Sequence, residues 1–232
     1  HRKGRQDAKK GKLFTRLIRE VTVSAKMGGG DMSANPRLRA AIDAALAANM
    51  PKDTIERARA RGAGGLEGGN FDEIRYEGYG PSGAAVLVDC LTDNRNRSVA
   101  EVRHVFTKSG GNLGTDGSVS YMFKKVGVIS FSDGSQENLA MEVALESGAD
   151  DVINNDDGSV DVIVQPEIFL DLKEAMVDAG LKPASAEITL VSDQEVRLTA
   201  EKGEALLKML DHLEDLDDVQ KVYTNASISD GA

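Results

Sequence analysis

A glycine-rich stretch, Ala63-Gly64-Gly65-Leu66-Glu67-Gly68-Gly69-Asn70, divides this chain into parts with different periodicities. Before it, apolar residues recur every three or four positions, the spacing of one helix face. After it, short apolar runs alternate with helical patterns, the signature of mixed strands and helices. A single bundle or a single sheet cannot satisfy both halves. The stretch itself reads as a flexible linker and as the main domain boundary.

Three helices are expected ahead of the linker. From Ala8 to Lys26, Leu13, Phe14, Leu17, Ile18, Val21 and Ala25 share one side of a helical wheel. Lys9, Lys12, Arg16 and Arg19 fall on the other, as a basic stripe. Met27-Gly28-Gly29-Gly30-Asp31 ends this helix, since glycine accepts the left-handed cap. A second helix starts near Asn35-Pro36 and runs to about Asn49 on Leu38, Ala41, Ile42, Ala45 and Leu46. Pro51 breaks it and opens a third, Lys52 to Arg61, with Ile55 and Ala58 inward.

Beyond the linker the expected strands are Glu73–Tyr79, Ala84–Leu91, Ser118–Phe123, Gly127–Phe131, Asp151–Asn154, Ser159–Gln165, Ala186–Val191, Val196–Thr199 and Val219–Tyr223. Helices are expected at Val99–Lys108, Glu137–Ser147, Glu167–Ala179 and Glu201–Asp215. Two βαββαβ sets can be read from this order. One is continuous, and the other is split around it, from Ala84 to Phe123 and from Val196 to Tyr223. The fold expected is α+β and multidomain: a basic three-helix domain (1–70), then two ferredoxin-like α+β domains, one (71–126 with 194–232) carrying the other (127–193) as an acidic insert. Two side-by-side α+β modules satisfy the same order.

Charge is polarised along the chain. Residues 1–62 hold 15 Lys and Arg against 6 Asp and Glu, whereas residues 126–232 hold 6 against 24. The acidic sum thus hides a basic first quarter suited to a phosphate backbone, with an acidic end held clear of it. The plainer account of the same residues is a solvated helical surface. No apolar run approaches the length needed to span a bilayer, and no secretory apolar segment is visible. The single Cys90 lies in an apolar run, as a buried strand thiol in a reducing compartment would. Trp is absent and aromatics make up 4%, so base-stacking platforms are scarce.

The densest polar cluster is Thr92-Asp93-Asn94-Arg95-Asn96-Arg97-Ser98, between a buried strand and a helix. A helix start with two arginines beside it could grip a phosphate. Equally, Asn96 or Ser98 could cap the helix while Arg95 and Arg97 stay solvated. The glycine-rich stretches at 77–83 and 110–117 lack the Gly-Lys-Ser/Thr ending of a nucleotide-binding loop and read as tight strand connections. The pairs Asp150-Asp151, Asp156-Asp157 and Asp217-Asp218 lack calcium-loop spacing and read as solvated turns. His1, His104 and His212 form no nucleophilic or metal-binding set. No catalysis, metal, cofactor or small-molecule substrate is expected.

Several blocks together resemble the YebC/PmpR family over nearly the whole length: Gly11-Lys12-Leu13-Phe14, Gly28-Gly29-Gly30-Asp31, Asn35-Pro36-Arg37-Leu38-Arg39, Tyr76-Glu77-Gly78-Tyr79-Gly80-Pro81, Asp93-Asn94-Arg95-Asn96-Arg97, Val102-Arg103-His104 and Gly110-Gly111-Asn112-Leu113-Gly114. The family's opening Gly-His-Ser-Lys-Trp is not among these residues. The resemblance implies a helical first domain, two α+β domains with the third inserted in the second, and a cytoplasmic, non-enzymatic regulator. Bacterial members are commonly described as DNA-binding transcriptional regulators. Mitochondrial relatives look like translational activators, and some bacterial members act on ribosomes stalled at proline-rich sequence.

The expected function is therefore a nucleic-acid-binding regulator of gene expression, of the DNA-binding transcriptional kind, with ribosomal RNA and the ribosome as the alternative partners. Lys9, Lys12, Arg16 and Arg19 would contact phosphates. Arg37, Arg39, Lys52, Arg57, Arg59 and Arg61 would widen the patch, and Arg95 and Arg97 would add a contact on the middle domain. About six such contacts would cost roughly a thousandfold in affinity between about 50 and 200 mM salt. The third helix offers mainly Arg and Ala with no Asn or Gln, which is thin for base readout. A protein-binding adaptor with the acidic region as its working surface is the remaining class.

Overall fold

The computed structural model describes residues 2–64 and 70–229, with side chains except those of residues 2–9 and 135. Most of the expected linker, residues 65–69, lies outside the described residues. Three helices come first: α1 (Arg2–Gly28), α2 (Pro36–Ala47) and α3 (Lys52–Ala63). Next follow β1 (Asp72–Tyr79), β2 (Ala85–Thr92), α4 (Arg95–Lys108) and the two-residue β3 (Asn112–Leu113). The middle of the chain forms β4 (Phe123–Phe131), α5 (Glu137–Glu146), β5 (Asp151–Asn154), β6 (Val160–Val164), α6 (Phe169–Asp178) and β7 (Ser185–Ser192). The chain closes with β8 (Val196–Leu198), α7 (Ala200–Glu214), β9 (Val219–Thr224) and β10 (Ala226–Ile228). Residues up to Ser120 and from Val196 onward make one compact unit, and Tyr121–Glu195 make a second.

The helical domain is held by small residues at close quarters. Val21, Ala25, Leu38, Ala41, Ile42, Ala45, Met50, Ile55 and Ala58 form its core. α1 and α3 meet at Gly62, where an added Cβ would lie 2.1 Å from the Thr22 carbonyl oxygen. Only glycine permits that approach. Asn35 joins α1 to α2. Its side-chain oxygen accepts from the Leu38 amide, capping α2, while Nδ2 donates to the carbonyls of Ser24 and Gly29, both at 2.8 Å. Leu13, expected inward, is 43% exposed. Residues Val21 to Ala25 are instead buried on every side of the helix, polar Thr22 and Ser24 included.

The first unit's sheet has the order β3-β1-β2-β9, antiparallel throughout. Val86, Val88 and Cys90 of β2 pack with Val102, Val105 and Phe106 of α4 and with Leu206, Met209 and Leu213 of α7. Ala85, Leu87 and Leu91 are buried too, so the central strand is enclosed on both faces, as its unbroken apolar run requires. Each fully buried side chain of Phe, Leu or Met size contributes about 1.5–3 kcal/mol. Burial pushes the Cys90 thiol up to about 12, so it stays protonated.

The sheet's membership differs from the expected split set. Ser118–Phe123 is not a strand: Ser120–Met122 is a short 3₁₀ turn and β4 begins at Phe123. The cause is Glu77, whose buried carboxylate accepts from the amides of Val119 and Ser120, both at 2.9 Å, taking donors that a strand would give to a neighbour. The edge position goes to Asn112–Leu113, which pairs with Gly78 and Tyr79. Gly78 admits it, because a Cβ there would meet the Asn112 oxygen at 2.3 Å. β8 leaves the sheet and pairs in parallel with β10.

In the second unit the order is β5-β6-β4-β7, antiparallel, with α5 and α6 supplying Ala140, Ala144, Phe169, Leu172 and Met176 to the core. This is the strand order of a ferredoxin-like βαββαβ module. The α+β fold with a helical N-terminal domain thus stands as expected.

Candidate nucleic-acid interface

The stripe on α1 is not a free cationic edge. Lys12 Nζ donates to the Asp215 carbonyl at 2.8 Å and lies 3.5 Å from its carboxylate. Arg16 donates to the Glu214 carbonyl. Arg19 donates to the carbonyls of Leu91 (3.1 Å) and Asp217 (3.0 Å), and its guanidinium lies 4.9 Å from the Phe71 ring centre. The Glu214, Asp215 and Asp217 carbonyls lie at or just past the C-terminus of α7, where no further helical turn satisfies them, and the Leu91 carbonyl lies beside them on β2. Acids crowd the same helix end, where the macrodipole is already negative. Lys12, Arg16 and Arg19 therefore cap and neutralise α7. Lys9 lies on α1, but its side chain is outside the described residues.

Asp218 anchors this docking. It is 2% exposed, correcting the expectation of a solvated turn. Oδ1 accepts from Arg19 (2.9 Å) and Arg97 (2.8 Å). Oδ2 accepts from Arg97 Nε (3.1 Å), Ser98 (2.8 Å) and Thr92 (3.2 Å). Burial alone would raise its pKa, but the donors from Arg97, Ser98 and Arg19 outweigh it and hold the carboxyl at about 2. Arg97 also donates to Asp93, and both carboxylates hold it firmly protonated. The helix cap is Asn94, whose side chain accepts from the Arg97 amide, not Asn96 or Ser98. Arg95 pairs with Asp72 at 3.0 Å. The two arginines at this helix start are thus ion-paired, and Arg97 is structural.

In the helical domain two more candidates are engaged. Arg37 donates to Glu20 and reaches Glu73 on β1, which raises its pKa against the effect of burial. Arg59 pairs with Glu56 and donates to the Gly30 carbonyl at 3.0 Å. Arg39, Lys52, Arg57 and Arg61 remain exposed and make no ion pair among the described residues. Arg39 donates at long range to the carbonyls of Met32 and Ser33, and Arg57 to the Thr54 hydroxyl. Exposed Lys10, which the sequence reading did not single out, sits over Phe14 at 5.4 Å. The contact of Asp218 with Thr92 and Ser98 is not visible in the sequence, because the partners lie more than 100 residues apart. Among the described residues no group of three His, Cys, Asp or Glu is placed to hold a metal, and no helix is long and apolar enough to cross a membrane.

A basic helical domain docked on an α+β unit that carries a ferredoxin-like insert defines a recognisable class. Residues 1–65 match the model described as TACO1/YebC protein N-terminal domain, and residues 71–226 match the TACO1/YebC second and third domain. The chain belongs to the TACO1/YebC family. It is 59% identical over 229 residues to a protein of Francisella tularensis subsp. novicida named "Probable transcriptional regulatory protein", spanning 99% of this chain and 92% of that relative. A similarly named relative from Idiomarina loihiensis is 62% identical over 230 residues, covering 99% and 92%. The crystal structure of a conserved hypothetical protein from Aquifex aeolicus superposes with a TM-score of 0.84 at 46% identity, covering 97% of this chain and 93% of that one.

Proposed function

We propose that this protein is a cytoplasmic, non-enzymatic regulator of gene expression that binds nucleic acid through the outer surface of α2 and α3. The carrying observation is the set that remains after internal pairing: Arg39, Lys52, Arg57 and Arg61 are exposed and free of ion pairs among the described residues. The names of its relatives support a transcriptional role, and we take DNA as the first partner to test on that ground. α3 presents Lys and Arg but no Asn or Gln, so its contacts are with phosphates and position the protein without reading bases. That same lack of amides favours structured RNA, including ribosomal RNA, as the second reading, since RNA is recognised by shape and backbone.

Fluorescence anisotropy with a duplex DNA and with a structured ribosomal RNA fragment tests both. About four phosphate contacts predict a loss of roughly a hundredfold in affinity between about 50 and 200 mM salt. Lys52→Glu with Arg57→Glu and Arg61→Glu abolishes binding of the true partner while the circular dichroism spectrum is retained. Undiminished binding by that variant refutes the assignment.

A further inference from the structure

The end of α7 is charged the wrong way for a helix C-terminus. Asp211, Glu214, Asp215, Asp217 and Asp218 cluster there, and the last turn carries no Lys or Arg of its own, only His212. The missing positive charge arrives from another domain, as Lys12, Arg16 and Arg19 of α1. Apart from the buried Asp218, these contacts run to main-chain carbonyls and to one exposed carboxylate, that of Asp215. The Lys12–Asp215 pair is partly solvated on both sides, with side chains 38% and 62% exposed. Pairs of that kind are individually weak and are screened by salt. Beside them opens a polar cleft of about 480 Å³ lined by Lys12, Arg19, Asp93, Arg97, Glu101 and Asp217. A phosphate chain offers oxygens to the same cations with a full negative charge on each phosphate, against the partial charge of a carbonyl.

We infer that the acidic end of α7 is an autoinhibitory latch: it occupies the cations of α1 in place of nucleic-acid phosphates, and a bound polyanion displaces it from Lys12 and Arg16. This rests on the reading that the helical domain binds nucleic acid, and it assigns that domain a second, conditional set of contacts. Closed, the protein engages phosphates only through α2 and α3. Opened, it adds α1. Arg19 stays behind, held by buried Asp218.

Asp215→Lys with Asp217→Lys tests the latch, since both carboxylates are exposed and neither is Asp218. The probe is a 24-base-pair duplex DNA, with the ribosomal RNA fragment in parallel, titrated against wild type, the latch variant and Lys52→Glu/Arg57→Glu/Arg61→Glu. The latch variant is expected to bind about tenfold tighter, as removing a closed population of roughly that excess requires. Its salt dependence should steepen by about two contacts. Hydrogen exchange on wild type should show faster exchange at Leu213–Leu216 when the probe is bound. Equal affinity for wild type and latch variant, or exchange at Leu213–Leu216 that slows or holds constant, overturns the latch while leaving the α2–α3 reading standing. Tighter binding by the latch variant, with the α2–α3 variant still binding like wild type, upholds the latch and refutes that reading. No binding by any of the three refutes both.

Discussion

Asp218→Asn should destabilise the first unit more than any other single substitution of an acidic side chain. The carboxylate accepts five hydrogen bonds, three from the arginines of α1 and α4 and two from hydroxyls. Holding its pKa at about 2 instead of the ordinary 3.8 corresponds to about 2.4 kcal/mol at neutral pH. Asparagine forfeits that and turns an amide donor toward donors. Removing one partner of a buried pair costs about 3–5 kcal/mol, and the partial exposure of Arg97 puts the expected total near the lower end, about 3 kcal/mol. The sign with pH follows from the lowered pKa. The contribution is present above about pH 4 and is lost as pH falls toward 2. Near-UV circular dichroism suits the assay, because three of the four tyrosines, Tyr76, Tyr79 and Tyr223, lie in this unit and there is no Trp. With a urea m-value of about 2 kcal/mol/M, the midpoint at pH 7 should drop by about 1.5 M. Wild type and variant should converge near pH 2. A midpoint unmoved at pH 7, or a gap that persists at pH 2, would show that the five donors do not stabilise the charge as argued.

Two further substitutions probe the packing. Gly62→Ala, which in an open helix would stabilise by about 1 kcal/mol, should here cost about 1–3 kcal/mol, because its Cβ would meet the Thr22 carbonyl. Urea unfolding of the variant against wild type gives the sign directly. Glu77→Ala should cost about 2 kcal/mol by stranding the Val119 and Ser120 amides. Limited proteolysis should then cut near residue 118 at a rate wild type does not show.

Helix and strand positions were legible wherever the pattern is local. α2, α3 and α7 lie within a few residues of their expected ranges because spacing and capping residues mark them. The βαββαβ succession of the second unit was legible from local pattern, but its strand order β5-β6-β4-β7 was not, because the pairings join strands far apart in sequence. What failed was set by distant partners. The Ser118–Phe123 run looks like a strand until Glu77, some 42 residues earlier, claims its amides. The α1 stripe looks solvated until the α7 end, some 198 residues later, is laid against it. Periodicity states that a face is polar, but not whether water, phosphate or another helix end will answer it. Lys52, Arg57 and Arg61 were placed on an exposed α3 surface because their register against Ile55 and Ala58 is local.

The long separation between Arg19 and Asp218 also bears on how the molecule is made. Synthesis runs from the N-terminus, so Arg19 of α1 and Arg97 of α4 emerge well before Asp218, the buried carboxylate they share. The residues of the second unit, Tyr121–Glu195, emerge complete before β9 exists and hold a core of their own. The first unit cannot close its sheet until β9 adds to β2 and Asp218 arrives beside it. During that interval the nascent chain presents a basic helix, without its acidic counterpart, within reach of the ribosome's own RNA.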